Sequence, residues 1–145
     1  MRGPGALGSI SAKTVVTLLI VAGAALVVVS GVIHLYLWGR QDGYANIPTI
    51  GPLFLMQGIV SILFGIVAMA TRWLVVALAG AGMMAASVVA LLLAVNVGLF
   101  GFRDSWSAPY ARTSLYVEVA AAVLLFVAAV VLALSLRGRA SSTSR

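Results

Sequence analysis

The sequence predicts an all-α membrane protein, a bundle of four transmembrane helices. The chain is 63% hydrophobic and only 8% charged, whereas a typical soluble domain is about one quarter charged. Its apolar residues form four long blocks, and about 20 apolar residues are enough for a helix to cross the hydrocarbon layer. The blocks lack the alternation that is typical of membrane β-barrel strands, and open strands cannot satisfy their backbone groups in lipid. Helices are therefore the predicted elements.

The first predicted span is 14–37, and it follows a polar N-terminal segment, 1–13, that carries Arg2 and Lys13. The block is longer than the apolar core of a signal peptide, and no small-residue cleavage site follows it. We therefore expect a retained transmembrane helix.

The second and third predicted spans are 49–71 and 74–97, joined by a tight connection around Arg72. Pro52 falls in the first turn of the second span, where its missing amide donor has little cost. These two blocks therefore predict a helical hairpin.

The fourth predicted span is 113–136, and it follows the longest connection, 98–112. The short tail 137–145 is rich in serine, and we expect it to be disordered. The loops are too short to fold separately, so the sequence predicts one transmembrane domain, 14–136.

Basic residues predict the orientation of the bundle, because Lys and Arg concentrate on the cytoplasmic side of membrane proteins. Six of the nine lie on the side of the two termini, which predicts a cytoplasmic N-terminus and C-terminus. The six are Arg2, Lys13, Arg72, Arg137, Arg139 and Arg145, and the other three are Arg40, Arg103 and Arg112. Eight of the nine basic residues are arginine, and alanine, valine and glycine are abundant, as in a GC-rich bacterial genome. We therefore expect a multi-pass protein of the bacterial plasma membrane.

Each predicted span carries one strongly polar residue near the end that faces away from the termini. Polar groups inside a membrane are costly and indicate function by default. The four residues are His34, Gln57, Asn96 and Glu118, and the residues expected to border them are Tyr44, Tyr110, Arg112 and Tyr116. Two interpretations follow: a polar clasp that holds the helices in register, or a binding site for a quinone head group or a cationic amphiphile.

Glu118 is the only acidic residue within a predicted span. A partner such as His34 or Arg112 would stabilise its charged form. Ser30, Ser61 and Ser87 also lie in apolar stretches, and we expect each hydroxyl to bond to the backbone of its own helix.

Small residues recur along every span, and they permit close approach of helices in lipid. This pattern favours packing within the bundle or an interface with other membrane subunits or a second copy. The clearest series are Gly58, Ser61, Gly65 and Ala68 in the second span and Ala77, Ala81 and Ala85 in the third.

Catalytic signatures are missing from the sequence, so no catalytic residue is predicted and the chain does not resemble an enzyme. It has no phosphate-binding loop, serine elbow, paired carboxylates or HExxH pattern. One histidine and no cysteine are too few ligands for a typical zinc site, so no metal is expected. The net charge of +6 comes from residues at helix ends, which gives no support for nucleic-acid binding.

Three short segments resemble the first hairpin of DoxX-like four-span membrane proteins. The segments are Gly31-Val32-Ile33-His34, then Ile47-Pro48, then Gln57-Gly58 with Gly65. Several members of that family are linked to quinone-dependent oxidoreductase systems, so the resemblance implies a quinone as a cofactor. The chain departs from the family at Gln57, where a glutamate is frequent. The segments 34–38 and 47–52 also resemble small four-span proteins of high-GC Gram-positive bacteria.

Three functions follow from these observations. The leading hypothesis is a non-catalytic accessory or assembly subunit of a larger, respiratory membrane complex, because the loops are tiny and small-residue faces are abundant. The second is a small homodimeric proton-coupled transporter that uses Glu118. The third is a quinone- or lipid-binding protein with a polar site formed by His34, Gln57 and Glu118.

Overall fold

The computed structural model describes residues 11–143, which form four long α-helices and one short 3₁₀ turn. The helices are α1 Ala12–Gly39, α2 Ile50–Thr71, α3 Leu74–Asn96 and α4 Ala111–Thr143, and the turn is Tyr44–Asn46. Each helix contains a stretch long and apolar enough to cross a membrane. This confirms the predicted all-α, four-helix membrane fold. Most of the predicted N-terminal segment, 1–10, and the end of the tail, 144–145, lie outside the described residues.

Helix bounds differ from the predicted spans by one or two residues, except at the end of α4. The first helix starts early because Ser11 caps it, its Oγ accepting a hydrogen bond from the backbone N–H of Thr14 at 3.2 Å. The fourth helix continues to Thr143, so 137–143 are helical where the sequence predicted a disordered tail. This segment has no proline, and its arginines favour helix.

The packing order of the helices differs from their order in the chain. Helix α1 is central, with α2 along one side and α4 along the other, and α3 packs along α4. Helices α2 and α3 are joined by a tight turn but touch only over a short stretch. A gap therefore separates α2 from α3, and α1 and α4 form its back wall.

Close glycine contacts hold α1 against α2. A Cβ placed on Gly31 would lie 2.8 Å from the carbonyl oxygen of Gly58, and one on Gly65 would lie 2.8 Å from the carbonyl oxygen of Ala24. The small residues Gly58, Ser61, Gly65 and Ala68 are all buried. This predicted small-residue face of α2 therefore packs inside the bundle. On α3, Ala77 and Ala81 are buried, whereas Ala85 is exposed.

An apolar core closes the bundle on the side of the termini. Val27, Met84 and Leu125 are fully buried where α1, α3 and α4 meet. A second cluster of Val16, Ile20 and Ala128 lies further toward the termini, between α1 and α4. The opposite end, formed by loops 40–49 and 97–110, is called the two-loop end below.

Candidate ligand-binding site

A cavity of about 280 Å³ lies between α2 and α3 in the half of the bundle near the two-loop end. Its apolar wall includes Leu53, Phe54, Met56, Met83, Ala90, Leu91, Leu99 and Phe102. Its polar wall consists of His34, Tyr44, Gln57, Ser87, Asp104, Ser114 and Glu118. A mostly apolar cavity with a few converging polar groups is typical of small-molecule sites.

Glu118 is the centre of the polar wall, and its side chain is 1% exposed. Its Oε1 accepts hydrogen bonds from Ser30 Oγ at 2.9 Å and from Ser87 Oγ at 2.8 Å. These two bonds tie α4 to α1 and α3. The prediction that Ser30 and Ser87 bond to their own helix backbones was therefore wrong, because a carboxyl oxygen lies within reach and is the stronger acceptor.

His34 lies beside Glu118 and is oriented by its own helix. Its Nδ1 is 2.9 Å from the carbonyl oxygen of Ser30, and because a carbonyl only accepts, Nδ1 carries a hydrogen. Its Nε2 is 3.9 Å from Glu118 Oε1, and the ring centroid of Phe54 is 4.9 Å from that of His34. In the neutral ring Nε2 therefore carries no hydrogen, and its distance of 3.9 Å from Glu118 Oε1 is too long for a hydrogen bond.

Two buried polar atoms of the wall have no hydrogen-bond partner in the protein. They are Glu118 Oε2 and Gln57 Nε2, and the third such atom in the described part of the chain is Ser61 Oγ. Glu118 and Gln57 both line the cavity, whereas Ser61 does not. One carboxyl oxygen of Glu118 therefore accepts two serine hydroxyls, while the other has no partner in the protein. Since Oε1 receives both hydroxyl hydrogens, a proton held by Glu118 sits on Oε2.

Aromatic rings cover the cavity at the two-loop end. Tyr44 stacks on Phe54 with ring centroids 4.3 Å apart, and its hydroxyl donates to Asp104 Oδ2 at 3.0 Å. Phe102 packs its edge against Tyr44 at 5.6 Å. Burial raises the pKa of Tyr44 above its ordinary value, and the Asp104 carboxylate raises it further. The phenol is therefore held neutral, and the Tyr44–Asp104 hydrogen bond connects the two loops.

The structure brings together three of the four predicted polar residues and one of the four predicted border residues. His34, Gln57, Glu118 and Tyr44 line the cavity. The three helical residues, His34, Gln57 and Glu118, lie about 8–11 Å from the nearer ends of their helices, at a rise of about 1.5 Å per residue.

Asn96 lies outside the cavity, contrary to the prediction. Its side chain is exposed and its Nδ2 donates to the carbonyl oxygen of Leu92 at 2.7 Å. An asparagine in the last turn of a helix readily bonds to its own backbone.

The other predicted border residues also lie outside the cavity. Tyr110 packs against Tyr36 on the surface, with ring centroids 5.5 Å apart. Arg112 and Tyr116 are exposed. Residues share a helix face when they are three or four positions apart, and neither residue has that spacing from Glu118, so both lie off the face of α4 that carries Glu118.

Sequence reasoning missed Ser30, Ser87 and Asp104 as parts of the site. Ser30 had a usable signal, since it precedes His34 by one helical turn and so shares its face of α1. Ser87 and Asp104 had none, because they come close to the other polar residues only through the packing of helices distant in the chain.

Comparison with known proteins gives no match to a protein-family model, a curated protein or a solved structure. Within residues 11–143, no cluster of three His, Asp or Glu side chains is suited to hold a metal ion. Fold and site together define a multi-pass helical membrane protein with a cavity inside the bundle and a buried carboxyl group in its wall.

Proposed function

We propose that this protein binds an amphiphilic small molecule from the membrane. The polar group of the molecule lies against Glu118 and Gln57, and its apolar part lies between α2 and α3. The observation that carries the proposal is that two side chains of the cavity wall, Glu118 and Gln57, each hold a buried polar atom, Oε2 and Nε2, without a partner in the protein. A buried polar group without a hydrogen bond costs about 1–3 kcal/mol, which a ligand would recover.

This pattern supports a binding site over a polar clasp. In a clasp the polar side chains satisfy one another, as Ser30 and Ser87 satisfy Glu118 Oε1. The amide of Gln57 makes no such bond with Glu118, although both line the same cavity. The volume of about 280 Å³ is just below the range for ligand pockets, which begins at about 300 Å³, so the site fits a small ligand.

Exposed residues in the wall support access from the lipid. Met56 on α2 is 56% exposed and also lines the cavity. Ala86 on α3 is likewise exposed and lines it. The cavity therefore reaches the bundle surface in the gap between α2 and α3. A molecule dissolved in the membrane enters there without crossing a polar layer.

The proposed setting is a bacterial plasma membrane with both termini in the cytoplasm. Six of the nine basic residues lie on the side of the termini, which favours this orientation. The cavity then lies in the outer half of the membrane.

The natural chain has no cysteine, so single cysteines test the orientation. Ser107→Cys should react with an impermeant maleimide on intact cells, and Ser142→Cys only after permeabilisation; the reverse pattern would invert the orientation.

Native mass spectrometry of gently extracted protein tests the proposed function. We expect a bound small molecule on the wild-type chain and on Tyr116→Phe, which changes an exposed residue outside the cavity. Glu118→Ala should lose the bound mass. Retention of the same mass by Glu118→Ala would contradict the site. Stable association with other membrane chains, with no small molecule, would favour the accessory-subunit hypothesis instead.

A further inference from the structure

We propose that the ligand of this cavity is a lipophilic cation, an amine or quaternary ammonium with an apolar body, and that Glu118 is its counter-ion. The proposal rests on the proposed function and names the class of molecule that the same cavity takes.

The distribution of charge around the cavity is opposite to that of the whole chain. The chain carries nine basic and three acidic residues. Two of the three acidic residues, Asp104 and Glu118, line the cavity, and no Lys or Arg of the described residues does. The third acidic residue, Asp42, is exposed in a loop. A basic protein therefore places two of its three acidic side chains at the cavity, with His34 as the basic side chain among the lining residues, and this balance favours a positively charged ligand.

The two carboxyl groups have different parts in the site. Both oxygens of Asp104 are bonded within the protein, Oδ2 to the Tyr44 hydroxyl at 3.0 Å and Oδ1 to the backbone N–H of Ser105 at 2.8 Å. Asp104 therefore adds negative charge, and each of its oxygens already has one partner in the protein. The Glu118 side chain lines the cavity, and its Oε2 is buried and lacks a partner. The positive group of the ligand accordingly lies next to Oε2.

Aromatic rings supply a second attraction for a cation. Phe54, Tyr44 and Phe102 all line the cavity and pack against one another in a chain of ring contacts. The negative face of an aromatic ring attracts ammonium groups, and protein sites for quaternary ammonium ions are built from such rings.

A quinone head group fits this wall less well. Its carbonyl oxygens only accept hydrogen bonds, so it offers a partner to Gln57 Nε2 but repels an ionised Glu118. An ammonium group stabilises the carboxylate, and an ether or ester oxygen beside the nitrogen provides an acceptor for Gln57. The test therefore compares two ligands of the same shape that differ only in charge.

Benzyltrimethylammonium and neopentylbenzene are suitable probes, because they have the same shape and differ by a positive nitrogen in place of a carbon. Binding is measured by equilibrium dialysis against the purified protein in phosphatidylcholine nanodiscs, with empty nanodiscs subtracted to remove partition into lipid. The wild-type protein should bind the ammonium at least about tenfold more tightly than the hydrocarbon, since an ion pair is strengthened in a low-dielectric site.

Glu118→Gln should lower affinity for the ammonium at least about tenfold and leave affinity for the hydrocarbon unchanged, because it removes only the charge. Asp42→Asn is the matched control, since it removes an acidic residue away from the cavity, and it should bind both probes like the wild type.

Equal or tighter binding of the hydrocarbon by the wild-type protein would overturn the cation proposal and leave the proposed function intact. Loss of ammonium binding in Asp42→Asn to the same extent as in Glu118→Gln would also overturn it. If neither probe bound above empty nanodiscs, the cavity would fail as a binding site for molecules of this size, and the proposed function would fail with it. The wild-type comparison is decisive even if a variant does not fold.

Discussion

Replacement of Gly31 by alanine should separate α1 from α2 and destabilise the bundle. The added Cβ would lie 2.8 Å from the backbone oxygen of Gly58, whereas ordinary van der Waals contact begins at 3.4 Å. The two helices must therefore move apart by about 0.6 Å, and a backbone atom cannot rotate away. Overpacking of this kind costs about 1–3 kcal/mol.

Gly82→Ala is the matched control, because a Cβ there meets nothing within 4 Å. Both substitutions place alanine within a helix, where it is favoured over glycine by about 1 kcal/mol, so their difference isolates the packing cost. The assay is the free energy of unfolding in detergent micelles, followed by circular dichroism. Equal stabilities for Gly31→Ala and Gly82→Ala would refute the close packing of α1 on α2.

Three further predictions concern the polar groups. Ser87→Ala removes one hydrogen bond to Glu118 Oε1 and should lower the free energy of unfolding by about 0.5–1.5 kcal/mol. Ser61→Ala removes a buried hydroxyl without a partner and should not lower it. Chemical denaturation compares the two variants, and equal losses would contradict the assigned bond. The raised pKa of Tyr44 means that its neutral form is favoured in the folded state. The stability that Tyr44 contributes should therefore be constant below the ordinary tyrosine pKa of 10.0 and fall as pH rises above it. Tyr44→Phe should lose less stability above pH 10 than the wild type, and identical pH profiles would count against the buried phenol. Asn96→Ala changes a residue outside the cavity, so dialysis should show unchanged probe binding, and a loss would place Asn96 in the site.

The accessory-subunit and transporter hypotheses stay predictions. Exposed apolar residues on every helix contact lipid or a partner equally well. Repeated isolation of the chain by itself would count against an accessory subunit. A transporter that depends on Glu118 should lose proton-coupled movement of its substrate in Glu118→Gln, and full retention would exclude that mechanism.

The sequence by itself determined the four membrane helices, because the apolar length of a block is a local property. It predicted α2 within one residue of its bounds, Ile50–Thr71. It also singled out Glu118 as the only acidic residue within a predicted span, since such a side chain is costly wherever it points. The end of α4 was not predicted correctly. The loss of hydrophobicity after Leu136 marks where the apolar span ends, whereas a helix can continue beyond the membrane.

Only the tertiary structure decided which polar residues meet. Asn96 and Tyr116 were predicted to belong to the same site as Gln57 and Tyr44, yet they lie outside the cavity. Ser87 looked like a residue bonded to its own helix, yet it donates to Glu118. In a soluble helix the apolar stripe marks the inner face. In a membrane both the lipid-facing and the core-facing surfaces are apolar, so hydrophobicity alone fixes neither the rotation of a helix nor the order α2, α1, α4, α3 around the bundle. The series of small residues marked the inner face of α2, but which helix packs against that face is decided by close packing between segments distant in the chain.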